Sequence, residues 1–146
     1  MGYIVLVKKN NITEVNYLAE LVFPSKSAYA IHVMKMCDEL AKRGINTNLY
    51  LLNKEKNLNF FNYYNCIKKF KINNFEIKKN NFLGRIFFSY KLVKLIVPKK
   101  NSLVISRSII SAILLNFFKN TVILELHHEL TGFTKYFFLF CKNFSL

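Results

Sequence analysis

The sequence predicts an α/β fold: a Rossmann-like parallel sheet with helices on both faces, built as a single domain over residues 1–146. Two observations predict it. Short apolar runs alternate with longer stretches of helical periodicity, and the runs are apolar on both faces, as strands covered from each side must be. Residues 22–52 add a strand end, a polar loop, an amphipathic helix closed by glycine, and a second strand, which together make a βαβ unit.

Residues 3–7 are apolar enough for a short strand, but Lys8, Lys9, Asn10 and Asn11 break it, so residues 1–12 stay ambiguous. The next strand spans 15–23; Pro24 ends it, and Ser25 or Ser27 can cap the helix that follows. Over 27–43, Ile31, Met34, Cys37, Leu40 and Ala41 recur three or four apart as the expected core face. Asp38, Glu39, Lys42 and Arg43 fill the other face, and Gly44 is the expected left-handed stop. Residues 45–52 form a strand, 54–62 a loop or frayed helix, and 70–77 a strand of patchy alternation.

A helix is predicted over 82–97, with Phe82, Ile86, Phe87, Tyr90, Val93, Leu95 and Val97 as its apolar face and Pro98 as its stop. A short buried strand at 103–105, a helix at 108–118, a strand at 121–127 and an aromatic helix at 131–143 complete the pattern.

Composition bounds the chemistry. Cys37, Cys66 and Cys141 are odd in number and far apart, with no CxxC or Cys/His ligand spacing, which argues against a disulfide framework or a zinc site and fits a reducing cytoplasm. No metal is required by any motif. No secretory signal is expected, because Lys8 and Lys9 follow the apolar start too soon. The longest apolar stretch, 103–118, is interrupted by Arg107, serines and Asn116, so it does not read as a membrane span.

The net charge of +14 invites an anionic partner. The chain also holds 18 Asn beside abundant Lys, Ile and Phe, all favoured by AT-rich codons, so the charge partly records base composition. Within 68–100, lysines alternate with Phe and Tyr. That pattern suits an anionic membrane surface, or a solvated basic face over an aromatic core. Nucleic acid is disfavoured, since no recognisable binding motif accompanies it.

Open α/β sheets bind ligands at the carboxyl ends of their strands. Three segments fall there. In the first, Glu125, His127 and Glu129 share one side of the strand while His128 faces the other, so the two histidines do not chelate one metal. A His flanked by carboxylates can orient a substrate hydroxyl, or it can be a structural group at a strand end. In the second, Pro24-Ser25-Lys26-Ser27 can present amides, hydroxyls and an ammonium to a phosphate, or simply cap the helix; lacking glycine, it is not a P-loop. His32, early in that helix, can reach the same crevice. In the third, Arg107 between Ser106 and Ser108 can fork onto a ligand anion or onto an internal carboxylate such as Glu125.

These residues resemble a known family. FPSKSAYAIHVMKMCDELAKRG, with His32 near the helix start and Leu40-Ala41-Lys42-Arg43-Gly44 at its end, is similar to the N-terminal half of GT-B glycosyltransferases of family 4. VISRS (104–108) and VILELHHE (122–129) resemble two later strand ends of that family. The resemblance covers most of 15–140. Ser27-Ala28 stands where the family commonly has Gly-Gly.

The resemblance implies one half of a GT-B fold, and a retaining transfer from a nucleotide-diphosphate sugar to a glycan or lipid-linked acceptor, with no further cofactor. His127 would be catalytic with Glu125 tuning it, and Ser25, Lys26, Ser27, His32, Arg107 and His128 would contact substrate. It implies that the donor-binding half lies outside these 146 residues, which would be a truncated gene product, a fragment of a longer chain or one partner of a split enzyme, and that this half is inactive alone. The expected location is cytoplasmic, with peripheral contact to the inner membrane face. The alternative is a non-catalytic α/β interaction domain that complements a separate donor-binding chain.

Overall fold

The computed structural model describes residues 2–6, 12–53, 59–75, 82–99, 101–126 and 136. The elements are β1 (Gly2–Leu6), β2 (Glu14–Phe23), α1 (Ala28–Lys42), β3 (Asn46–Asn53), α2 (Phe60–Tyr63), β4 (Lys71–Phe75), α3 (Phe82–Ile96), β5 (Ser102–Ser106), α4 (Ile109–Phe117) and β6 (Thr121–Leu126). The helix expected over 131–143 falls outside the described residues apart from Tyr136.

The sheet order is β1-β6-β5-β2-β3-β4. From β6 to β4 every pairing is parallel, which is the Rossmann-like fold the alternation predicts. Gly2–Leu6 is a strand, and it corrects the all-parallel expectation by running antiparallel along the free edge of β6. From β2 the chain steps outward through β3 and β4, then returns to lay β5 on the other side of β2. The strand order therefore reverses between β2 and β5, and their carboxyl ends frame a crevice.

Each face has its own core. Tyr17, Phe23, Val33, Met34, Leu49 and Leu51 pack beneath α1 and α2. Leu18, Phe88, Leu92, Ile96, Leu115 and Leu124 pack beneath α3 and α4. The α3–α4 contact carries a small polar seam, where Ser111 Oγ donates to Ser89 Oγ at 2.8 Å.

α1 starts where Ser27 Oγ accepts the Ala30 amide at 3.2 Å. It stops at Gly44, whose φ of +76° suits glycine and whose amide donates to the Ala41 carbonyl at 3.0 Å. The buried face of α1 departs from the periodic one. Ile31 is exposed, while Ala30, Val33 and Asp38 are buried. Asp38 goes inward because Oδ1 accepts the amides of Ile67 at 3.0 Å and Lys68 at 2.7 Å, and Lys42 Nζ stands 3.0 Å from Oδ2. A paired carboxylate can be buried where a lone one cannot.

α3 also corrects the expected face. Phe88, Leu92, Val93 and Ile96 meet the core, while Ile86, Phe87, Tyr90 and Leu95 are exposed. A helix apolar nearly all round gives no periodic signal of which side turns inward. No helix among the described residues is long and apolar enough to cross a membrane.

Candidate functional site

The crevice side of β6 is built around one carboxylate. Glu125 is buried on the α1 face of the sheet, next to the last residue of β6. Three side chains from three other segments converge on it. Tyr17, in the middle of β2, donates its hydroxyl to Glu125 Oε2 at 2.5 Å. Arg107, just past β5, donates from Nη2 to Oε1 at 2.6 Å. His32, in the second turn of α1, brings Nε2 to 3.2 Å from the same Oε1.

The backbone explains the convergence. The Arg107 amide donates to the Leu18 carbonyl at 3.2 Å, which pins the end of β5 against β2. Side chains alternate along strands, so Ile105 and Arg107 point to the α1 face, as Tyr17 and Glu125 do. Above them the guanidinium lies on the Tyr29 ring, with Cζ 4.2 Å from its centroid.

The electrostatics follow from burial. The Arg107 and Glu125 side chains are each 2% exposed, so the pair neutralises itself away from water. Burial, then the hydrogen bond to Glu125, pushes the Tyr17 phenol well up, so it stays a donor. Burial likewise raises Tyr29, against the opposing pull of Arg107. The His32 side chain is 33% exposed. It meets solvent, backed by a carboxylate that can fix the imidazole tautomer.

Among the sequence candidates, Glu125, Arg107 and His32 come together. Of the two roles open to Arg107, the structure displays the internal one, through a single bond from Nη2 to Glu125 Oε1, while Nε and Nη1 of the same buried guanidinium have no hydrogen-bond partner among the described residues. The Ser25–Ser27 loop has the geometry of a cap. Ser25 Oγ donates to Ser27 Oγ at 3.0 Å and accepts the Ser27 amide at 3.2 Å, and Tyr64 brackets the Ser25 backbone with two bonds of 2.8 Å. Lys26 is exposed beside them. His127, His128 and Glu129 lie outside the described residues.

Tyr17 and Tyr29 complete the cluster and carry no motif. A tyrosine within an apolar strand is itself a hint, because a buried hydroxyl needs a partner. Among the described residues, no three His, Cys, Asp or Glu side chains converge as metal ligands.

Two other polar features lie at the opposite, amino-terminal rim of the sheet. Glu14 accepts from Asn16 at 3.0 Å and Asn48 at 3.3 Å and pairs with Lys99 at 2.8 Å, a network that satisfies buried amides. An open pocket of about 350 Å³ lies between Gly44–Thr47 and Lys69–Lys71. It contains no facing acid–base pair and lies away from the strand-order reversal.

No family model, curated protein or solved structure shows a significant match to the chain.

Proposed function

We propose that the chain is the acceptor-side half of a retaining glycosyltransferase, taking a sugar from a nucleotide-diphosphate donor to a glycan or lipid-linked acceptor. One observation carries the reading. The strand-order reversal between β2 and β5 sets the start of α1, with a solvent-facing His32 backed by Glu125, at the crevice where open α/β sheets hold ligands.

In this reading His32 meets the acceptor hydroxyl, and Glu125, held by Arg107 and Tyr17, orients the imidazole. His127 orients the donor sugar, His128 is a second substrate contact, and the Ser25–Ser27 loop with Lys26 lines the acceptor side. A second unit of the same class, covalently joined or separate, supplies the grip on diphosphate and ribose. The enzyme works at the inner membrane face, where lipid-linked acceptors lie.

A second reading has its own support. Glu125 is engaged on both oxygens and almost fully covered, which also suits a structural pin in an interaction domain without turnover.

The test is label transfer. The chain, alone and mixed with a donor-binding partner unit, is incubated with radiolabelled UDP-hexoses, UDP-N-acetylhexosamines and GDP-mannose in the presence of bacterial lipid extract. The proposal expects label to enter the lipid or glycan fraction once the donor half is present. Absence of product in every mixture, with the complex demonstrably formed, contradicts the enzymatic reading and leaves the interaction domain.

A further inference from the structure

We infer that the outward face of α3, continued by the end of α4, is a docking surface for an anionic lipid bilayer. The docking does not depend on the chain being a transferase.

The first ground is exposed apolar surface in one stripe. At 100° per residue, Leu83, Phe87, Tyr90, Lys91 and Lys94 project on the side of α3 opposite Leu92 and Phe88, which are buried. Leu83 is 71% exposed, and Phe87 and Tyr90 are each more than half exposed. Phe117 and Phe118, at the end of the neighbouring α4, extend the apolar surface, Phe117 at 71%. Several large apolar groups facing water on adjacent helices mark an interaction surface.

The second ground is the placement of cations among them. Lys91 Nζ lies 4.6 Å from the Phe87 ring centroid, and Lys94 Nζ lies 4.7 Å from that of Tyr90. Ammonium groups over aromatic rings, with aliphatic side chains beside them, match what a helix lying in a headgroup layer presents.

The third ground is the charge map. Residues 77–124 contain no Asp or Glu. Arg85, Lys99 and Arg107 are paired with Glu20, Glu14 and Glu125 from other segments, while Lys91, Lys94 and Lys119 stand exposed. α1, in the layer on the other side of the sheet, carries Asp38 and Glu39. The basic stretch 68–100, continuous in sequence, is therefore split by the fold. The Lys68 amide is bonded to Asp38 of α1, whereas Lys91 and Lys94 lie with the exposed aromatics of α3. Anionic headgroups complement the α3 layer in charge, and acyl chains repay the exposed Leu83. A nucleic acid would repay rings and cations but not aliphatic side chains.

α3 begins at the carboxyl rim of the sheet, since it follows β4 and leads into the parallel β5. A bilayer on this face therefore lies beside the crevice rim, which is where a lipid-linked acceptor would have to enter if the transferase reading holds.

The experiment is co-sedimentation of the full chain at low salt with vesicles of equimolar phosphatidylglycerol and phosphatidylcholine, or of phosphatidylcholine alone. Binding to the anionic vesicles is expected, falling steeply with added salt. The double variant K91E/K94E should bind at least about thirtyfold more weakly, roughly fivefold for each lysine lost, with the two added carboxylates repelled by the headgroups as well. L83S/F87S should also lose binding, whereas K68E/K69E in the other layer should bind as the parent does. All six positions are exposed, and circular dichroism checks that each variant is folded. The inference is overturned if anionic vesicles are ignored, if the stripe variants bind like the parent, or if K68E/K69E loses as much. It is also overturned if the chain binds single-stranded polyuridylate in place of vesicles. Vesicle binding without sugar transfer would sustain the docking surface while the transferase reading failed.

Discussion

Arg107 and Glu125, at the ends of neighbouring parallel strands, meet at 2.6 Å with neither side chain more than 2% exposed. A charge pair this deep is asymmetric in its energetics. Taking both charges out of water costs several kcal/mol per ion, and the pairing roughly repays it, so removing one partner is far worse than removing both.

Arg107→Met should therefore destabilise the fold by about 3–5 kcal/mol, because it leaves Glu125 buried and uncompensated. The double variant R107M/E125L should recover much of that loss. Urea denaturation of the parent, both single variants and the double variant measures the coupling directly.

Tyr17→Phe removes one hydrogen bond to the same carboxylate and leaves the ring in place. The loss should be about 1.5–3 kcal/mol, the range for a hydrogen bond to a charged group. Equilibrium unfolding gives the value. A change within a few tenths would mean that the Tyr17–Glu125 contact is not formed in solution.

Much of the frame was legible in the sequence, for local reasons. Ser27 and Gly44 bound α1 through chemistry carried by a few consecutive residues, and the alternation of apolar runs gave the sheet and its two helical layers. The face of α3 was not legible, because apolar residues surround its axis and the choice is made by α4, a separate segment. The pairing of Arg107 with Glu125 was one of two options the sequence left open, and it could be named because each residue ends a strand. Tyr17 was not, since its partner stands 108 residues away and only the sheet order brings β2 within reach.

Asp38 supplies a pH dependence. Burial would raise its carboxyl, but the Lys68 amide, Lys42 and the Ile67 amide overcome that and hold it below the usual value. A group depressed in the folded state adds stability that is fully present above its unfolded pKa of about 3.9 and is lost as pH falls through the lower folded value. Asp38→Asn should accordingly flatten the acid side of the stability profile below about pH 4, and lower stability at neutral pH. Thermal midpoints across an acid titration of parent and variant test the sign.

Gly44→Ala tests the close of α1. Its φ of +76° is strained for any residue with a Cβ, although an added methyl would touch nothing within 4 Å. The expected cost is about 1–2 kcal/mol, from backbone conformation alone. A neutral result in urea denaturation would mean that the helix ends differently in solution.

The central claim is that His32, backed by Glu125, serves a reaction at the crevice between β2 and β5. The most direct measurement compares sugar transfer by the assembled parent and by His32→Ala, after matched thermal midpoints show that both are folded. The account predicts a fall in kcat of about a hundredfold or more, the scale of a positioned proton-transfer group, with stability little changed. Equal turnover in the two proteins would contradict it and leave the Glu125 cluster as a structural pin.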